Sequence, residues 1–586
     1  MDKPPSNYLI KGGLVVDGTG SAPFSADVRV QDGMITAVAA NLEANDGEVR
    51  VDASGCFVTP GLIESHTHFD GTMWWQPDLN PLPGCGVTTV VMGNCGFALA
   101  PLHDDPAVRR EVVKIFSFFE DIPESAFMDK LPWDWQTWSQ YKQSMVANTR
   151  VTANYGAFVG HIALRLAVMG MDAWERAATP AEIGQITRLL VDALDAGALG
   201  LSTNLLDHDG SDRPVPSLVA DDAEFSALFR VMANYPHATT QVIVDSLMRF
   251  TAAASMERIA RLTEGLAVRV QWAGVPTLQW QKDYGIQQPI LDLHERFSAE
   301  GRDFWTGYAH VPITVTASIR QSLLFAQSND YVWHEVVTAG SDADKLALLA
   351  DPDWRERARH SWANDSLETG FFRRPEAIML DNSENGADPV TSLGDHAAKL
   401  GLPASDAMAQ WFIDNGLSSS VTMPPWEKDD EMVVRLTRDP LAVGNINDSG
   451  AHGQLFCASG DNLLLYTDYV RRGLLRIEEA VHCQTGKLAS HFGFTDRGEL
   501  KPGKRGDITV FALDEIQHRR KYKIFDVPDG RGGFTWRWTR DPAPVRLTLV
   551  NGVATFEDGK STGAMPGMMV SPGAGSTGSA TSGILE

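Results

Sequence analysis

Eight short, almost continuously apolar runs between residues 56 and 447 constrain the fold of this chain more than any other feature. They are CFVTPGLIE, GVTTVVMG, NYGAFVG, ALGLSTN, ATTQVIV, LAVRVQW, RDFWTGYA and LAVGNIN. A strand that is apolar on both faces needs cover on both, as in a parallel sheet flanked by helices. The stretches between the runs include PAEIGQITRLLVDALDAG and SMERIARLTEGL, whose apolar residues recur at helical spacing. Eight strands alternating with helical crossovers predict an α/β chain built on a (β/α)8 barrel.

The two ends of the chain have another texture. YLIKGGLVVDGTG, ADVRVQDGMITAVAA and GEVRVDASG near the start read as short strands and turns, and GDITVFAL and RLTLVNGVATFEDGK near the end repeat the pattern. Both ends therefore belong to one small β-domain. The expected division is residues 1–58 for its first part, 59–495 for the barrel and 496–565 for its second part. The remainder, 566–586, is expected to be disordered because SPGAGSTGSATSGILE is rich in Gly and Ser. Two connections are long: one from GNCGFALAP to Arg150, the other from about Val311 to Pro440. Long loops after barrel strands shape active sites.

Charge and cysteine usage exclude several functions. Lys and Arg number 50 against 75 Asp and Glu in 586 residues, a formal charge of −25. Such a chain is a poor ligand for nucleic-acid phosphates or an anionic membrane. No apolar run reaches the roughly 18–20 residues of a membrane helix. MDKPPSNYLIKGG lacks the apolar core of a secretory signal, and the five cysteines form no CxxC pair. The expectation is a cytoplasmic protein that acts on a small molecule.

Four places carry candidate chemistry. In HTHFD, at the end of the first strand, alternation puts His66 and His68 on one face, where two imidazoles can hold one metal ion. The buried strand before them favours that reading over two histidines of a turn. Cys95 follows the second strand in GNCG, where glycines permit close backbone approach; it reads as a thiolate ligand or as a small buried apolar residue. Asp448, in NDSGAH after the last strand, can bind metal and take a proton from water, or cap a turn. His452, four residues beyond, is a candidate substrate contact at the same site or merely packs. His161, after the third strand, is a candidate ligand or substrate contact, and Arg165 can serve a carboxylate if that stretch is helical. For both, a packing role fits equally. Trp74, Trp75, Trp133, Trp135 and Trp138 line a pocket or pack the insertions.

Together these pieces resemble the amidohydrolase superfamily and, within it, the D-aminoacylase (N-acyl-D-amino-acid deacylase) group. The matching segments are VTPGLIESHTHFD, GVTTVVMGNCGFALAP, YGAFVGHIALRLAVMG, GALGLSTN, NDSGAH and LASHFGFTDRGELKPGKRGDITVF. The resemblance implies a TIM-like (β/α)8 barrel beside a β-sandwich made from both ends. It implies metal-dependent hydrolysis of a C–N amide bond, with one or two divalent ions, by default zinc. His66, His68 and Cys95 match its metal-site positions, and Asp448 its catalytic aspartate. It implies an N-acyl amino acid or related amide as substrate, and an oligomer. A lactone, ester, carbamate or C–C substrate suits the same scaffold, and so does a binding protein without catalysis.

The sequence also departs from that pattern. D-aminoacylases carry metal-binding histidines at the ends of strands five and six, where this chain has ATTQVIVDS and AVRVQWAGV with Gln241, Asp245 and Gln271. His310, ending the seventh run, is the candidate replacement imidazole. No arginine follows Asp448 closely, where the group places its carboxylate binder; the nearest is Arg471.

Overall fold

The computed structural model describes residues 7–211, 213–246, 251–312, 314–319, 332–363, 377–384, 390–423 and 426–573. All eight apolar runs contain strands, and their ladders follow chain order. Leu62–Glu64, Val87–Met92 and Asn154–Ala157 form a three-stranded parallel sheet. Val159–Gly160, Gly200–Leu205, Thr239–Val244, Arg269–Ala273, Phe304–Gly307 and Ala442–Val443 form a six-stranded parallel sheet. Ile446–Ser449 pairs in parallel with His66–Thr67, bringing the last run beside the first. The fold is therefore mixed α/β, with the parallel strands buried along nearly their whole length.

The intervening helices carry the signals that their sequences promise. In Pro180–Asp195, Thr179 and Glu182 form a reciprocal cap, Glu182 accepting the Thr179 N–H at 2.7 Å. Ile186, Leu190, Ala193 and Leu194 then face the core along one side. Among the described residues no helix is long and apolar enough to cross a membrane.

Both chain ends meet in one nine-stranded sheet. Ile508–Phe511 pairs antiparallel with Phe57–Pro60, and Tyr8–Val15, Phe24–Gln31 and Leu547–Val550 extend it. Tyr8, Ile10, Val28, Val58, Ile508 and Leu549 fill its core. The run CFVTPGLIE is thus shared: Phe57–Pro60 belongs to this sheet and Leu62–Glu64 to the parallel one.

Three features differ from the sequence expectation. The segment 521–540, placed in the terminal β-domain, forms a separate hairpin of Lys521–Pro528 and Phe534–Arg540. It docks on the turn after Asp448, where Trp538 N–H donates to the Gly453 carbonyl at 2.7 Å. The first residues of the expected tail are pinned: Gly567 N–H donates to Val151 O and Val570 N–H to Tyr155 O, both at 2.9 Å. The rest of the tail lies outside the described residues. The long connection after the seventh strand builds its own antiparallel sheet from Thr316–Ser318, Met379–Asn382, Thr391–Ser392 and Ser420–Thr422, with helices including Asp342–Ala350 and Ala404–Asn415. Short polar runs with little periodicity hid these strands.

Candidate metal centre

His66, His68 and Cys95 meet at the exit ends of the first two parallel strands. Their ligand atoms all lie within 4.8 Å of one another. Cys95 Sγ is 3.1 Å from His66 Nε2 and 3.6 Å from His68 Nε2. Asp448 Oδ1 faces the same two nitrogens at 3.2 and 3.6 Å. Ligands at zinc–nitrogen and zinc–sulfur bond lengths in a tetrahedron sit roughly 3.3–3.6 Å apart, so these spacings suit a shared cation. The two imidazole side chains are 5% and 3% exposed, whereas that of Asp448 is 30% exposed and open on its outer side. Oδ1 itself is buried and, among the described residues, accepts no aligned hydrogen bond.

The backbone here is strained in the way functional sites often are. Cys95 and Asp448 have φ of 57° and His452 has 49°, in the left-handed region that side chains disfavour. Gly93 makes the Cys95 turn possible: a Cβ at that position would lie 2.6 Å from the Phe158 carbonyl. The turn is then fastened from neighbouring strands. Ser202 Oγ accepts from Gly96 N–H and donates to Gly93 O, Asn204 Nδ2 donates to Cys95 O at 3.0 Å, and Cys95 N–H donates to Gln241 Oε1 at 3.2 Å. Gln241 thus supports the cysteine from the strand where a histidine was expected.

Burial sets the charge states. It holds His66 down to about 4, against the opposing pull of Asp448, so its ring is neutral and has a lone pair to give. Burial also pushes the Cys95 thiol up to about 12, only partly offset by His68, so a cation at this place must displace the thiol proton. Burial would lower His68 too, but the charges of Glu120 and Cys95 outweigh it and raise the ring well above its ordinary value. Asp448 is the reverse: burial favours its neutral form, yet His66 and His68 hold it well below the usual carboxylate range.

A pocket of about 370 Å³ opens from this cluster. Gln241, Gln271, Trp272, Leu278, Trp426 and His452 are among its lining residues. His452 thus stands at the site, its ring 5.1 Å from that of Phe456. Gln271 is tied to His491, whose Nε2 is 2.9 Å from Gln271 Oε1.

Other sequence candidates are placed elsewhere. His161 is buried with Nδ1 2.9 Å from Thr203 Oγ1 and Nε2 2.9 Å from Glu224 Oε1; Arg165 pairs with the same Glu224 and donates to two carbonyls. Neither lines the pocket, because Glu224 holds both within the packing between helices. His310 is also buried, its Nε2 3.0 Å from the Asp461 carbonyl, and it joins neither the cluster nor the pocket lining. Arg471 bonds to the carbonyls of Leu513 and Ile516. Trp74, Trp133, Trp135 and Trp138 pack the insertion, Trp74 and Trp135 stacking at 6.0 Å. Sequence reasoning missed Glu120, whose Oε1 lies 3.0 Å from His68 Nδ1. The one signal for it was an acidic residue ending the aromatic run FSFFE.

With this geometry in view, comparison with known proteins gives a consistent result. The amidohydrolase family model matches residues 50–307. D-aminoacylase of Alcaligenes xylosoxydans xylosoxydans is 35% identical over 574 residues, covering 97% of this chain and 98% of that one. N-acyl-D-aspartate deacylase of the same organism is 28% identical, covering 98% and 97%. Among solved structures, the fold resembles the D-aminoacylase crystal structure, with a TM-score of 0.64 at 23% identity over 96% of this chain and 99% of that one. It also resembles N-acyl-D-glutamate deacylase from Bordetella bronchiseptica, solved with zinc and a phosphonate mimic of the tetrahedral intermediate, at 0.62 and 24% over 96% and 99%. The chain belongs to the amidohydrolase family, hydrolases of carbon–nitrogen bonds, and within it to the D-aminoacylase-like group.

Proposed function

We propose that the protein is a metal-dependent hydrolase of an amide bond in a small N-acyl amino acid or related amide, on a (β/α)8 barrel whose arcs are the three parallel sheets. The observation that carries this reading is the convergence of two imidazole nitrogens, a thiol sulfur and a carboxylate oxygen at one pocket. His66, His68 and Cys95 are the ligands, a nitrogen and sulfur set that suits zinc, and Asp448 closes the outer side. A divalent ion bound there would polarise the scissile carbonyl and acidify water.

The remaining work falls to the chain. Asp448 is ionised and directed at the pocket, so it accepts the proton of the attacking water and returns one to the leaving amine. The walls at Trp272, Leu278 and Trp426 hold the apolar part of the substrate and exclude bulk water. In support, the D-aminoacylase relative spans nearly the whole chain, and the N-acyl-D-glutamate deacylase of similar fold was solved with zinc.

The test is elemental analysis of protein purified without chelator or metal-affinity tag, followed by assay on a panel of N-acyl-D-amino acids, N-acyl-L-amino acids, simple amides and lactones. About one equivalent of zinc or a similar ion, with turnover of an N-acyl substrate that a chelator abolishes, is the expected result. A protein that takes up no metal and cleaves nothing after reconstitution ends the hydrolase reading in favour of a binding role.

A further inference from the structure

Glu120 lies outside the donor set yet touches both halves of it. It ends the helix Pro106–Glu120 and is 1% exposed. Phe119, beside it, stacks on Phe97 with ring centres 4.5 Å apart, which anchors the helix end over the site. One carboxylate oxygen of Glu120 lies 3.0 Å from His68 Nδ1. The other accepts the backbone N–H of His452 at 3.3 Å, and the Glu120 carbonyl accepts that of Gly453 at 2.9 Å. His452 and Gly453 continue the turn that begins at Asp448, where Ala451 N–H donates to the Asp448 carbonyl at 3.0 Å. Among the described residues His68 Nδ1 makes no aligned hydrogen bond, and the Glu120 carboxylate stands 3.0 Å from it.

We propose that Glu120 is a positioning residue that couples His68 to the Asp448 turn, and so sets metal affinity and the placement of Asp448 together. The inference rests on the metal-site reading above. An imidazole can present either nitrogen to a cation, and the partner of the other nitrogen decides which. A carboxylate on the Nδ1 side favours the tautomer with hydrogen there and leaves the Nε2 lone pair facing Cys95 and Asp448. One Glu120 oxygen accepts from His452 N–H and the other faces His68 Nδ1, so each oxygen serves a different element. Glutamine has the same length but offers one acceptor and one donor, so its amide NH2 must face either His68 Nδ1–H or His452 N–H. Aspartate keeps both acceptors but is one methylene too short to reach both elements.

The experiment measures zinc affinity by chelator competition, and the absorption spectrum of the cobalt(II) form, for wild type, Glu120→Gln and Glu120→Asp. Melting temperatures of the metal-free proteins are recorded alongside. The expected result is about 10- to 100-fold weaker zinc binding in Glu120→Gln, a smaller loss in Glu120→Asp, a changed cobalt spectrum in both, and metal-free melting close to wild type. Equal affinity and an unchanged spectrum in the variants, with wild type binding metal, overturns the positioning role alone. Variants that lose their fold without metal, where wild type keeps it, assign Glu120 to the scaffold and overturn it too. A wild type that binds neither zinc nor cobalt overturns the metal-site reading and this inference with it.

Discussion

Two of the places where histidine is buried in this molecule, the His66–His68 cluster and the His161 cluster, share several features and differ in what their nitrogens have left over. His66 and His68 are each 4% exposed, and His161 is fully covered. Burial lowers both His66 and His161, and a glutamate stands beside an imidazole in each cluster. At His161, however, Thr203 and Glu224 occupy both ring nitrogens. At His66 and His68 the Nε2 atoms face a thiol and an under-bonded carboxylate beside a pocket. Burial and a shifted pKa therefore do not identify a metal ligand. Unspent coordinating capacity, directed at a cavity, does.

The largest expected effect separates chemistry from binding within the first cluster. Asp448→Asn keeps shape but removes the proton acceptor, so kcat should fall by about 10³-fold while metal content stays near that of wild type. Parallel elemental analysis and turnover measurement check this; undiminished turnover removes Asp448 from the mechanism. The next effect belongs to the second cluster. Glu224→Ala leaves Arg165 as an unpaired buried charge and should destabilise the fold by about 3–5 kcal/mol in urea unfolding, with metal content unchanged. Loss of metal without loss of stability would reverse the roles assigned to the two clusters. A third variant works the other way: His66→Ala with His68→Ala should abolish metal binding, checked by elemental analysis, while the buried pair of Arg165 and Glu224 stays in place.

The same comparison explains what the sequence could reveal. Strand alternation placed His66 and His68 on one face, and the flanking glycines of GNCG pointed to close backbone approach at Cys95; both depend on local spacing. The eight apolar runs were legible for the same reason. Glu120 was not, because its partners His68 and His452 are far away in the chain and only tertiary packing joins them. His161 and Arg165 have the right chemistry at the right strand end, but their fate turned on Glu224, which nothing in FVGHIALR announces. The loss of histidine from strands five and six was plain, whereas the hydrogen bond from Cys95 to Gln241 was hidden by its length in sequence. The hairpin Lys521–Pro528 with Phe534–Arg540 read as more terminal β-structure because strand texture does not say which sheet a strand joins.

The smallest expected effect tests the second cluster by pH. Burial holds His161 below its ordinary value of 6.5, more strongly than its contacts with Glu224 raise it. The folded ring is thus neutral where the unfolded ring begins to bind a proton. At this residue the unfolded chain carries more protons below pH 6.5, so the share of stability due to His161 falls as the solution is acidified. The contribution of His161 is complete above pH 6.5 and is lost progressively towards its lower folded pKa. His161→Gln removes this proton uptake and should flatten the loss between pH 7.5 and 5, although it lowers stability at every pH by breaking the contact with Glu224. Urea midpoints at several pH values for the metal-free proteins read the difference directly. Parallel curves for wild type and variant would mean that His161 is not held neutral, and the distinction between the two clusters would then rest on geometry alone.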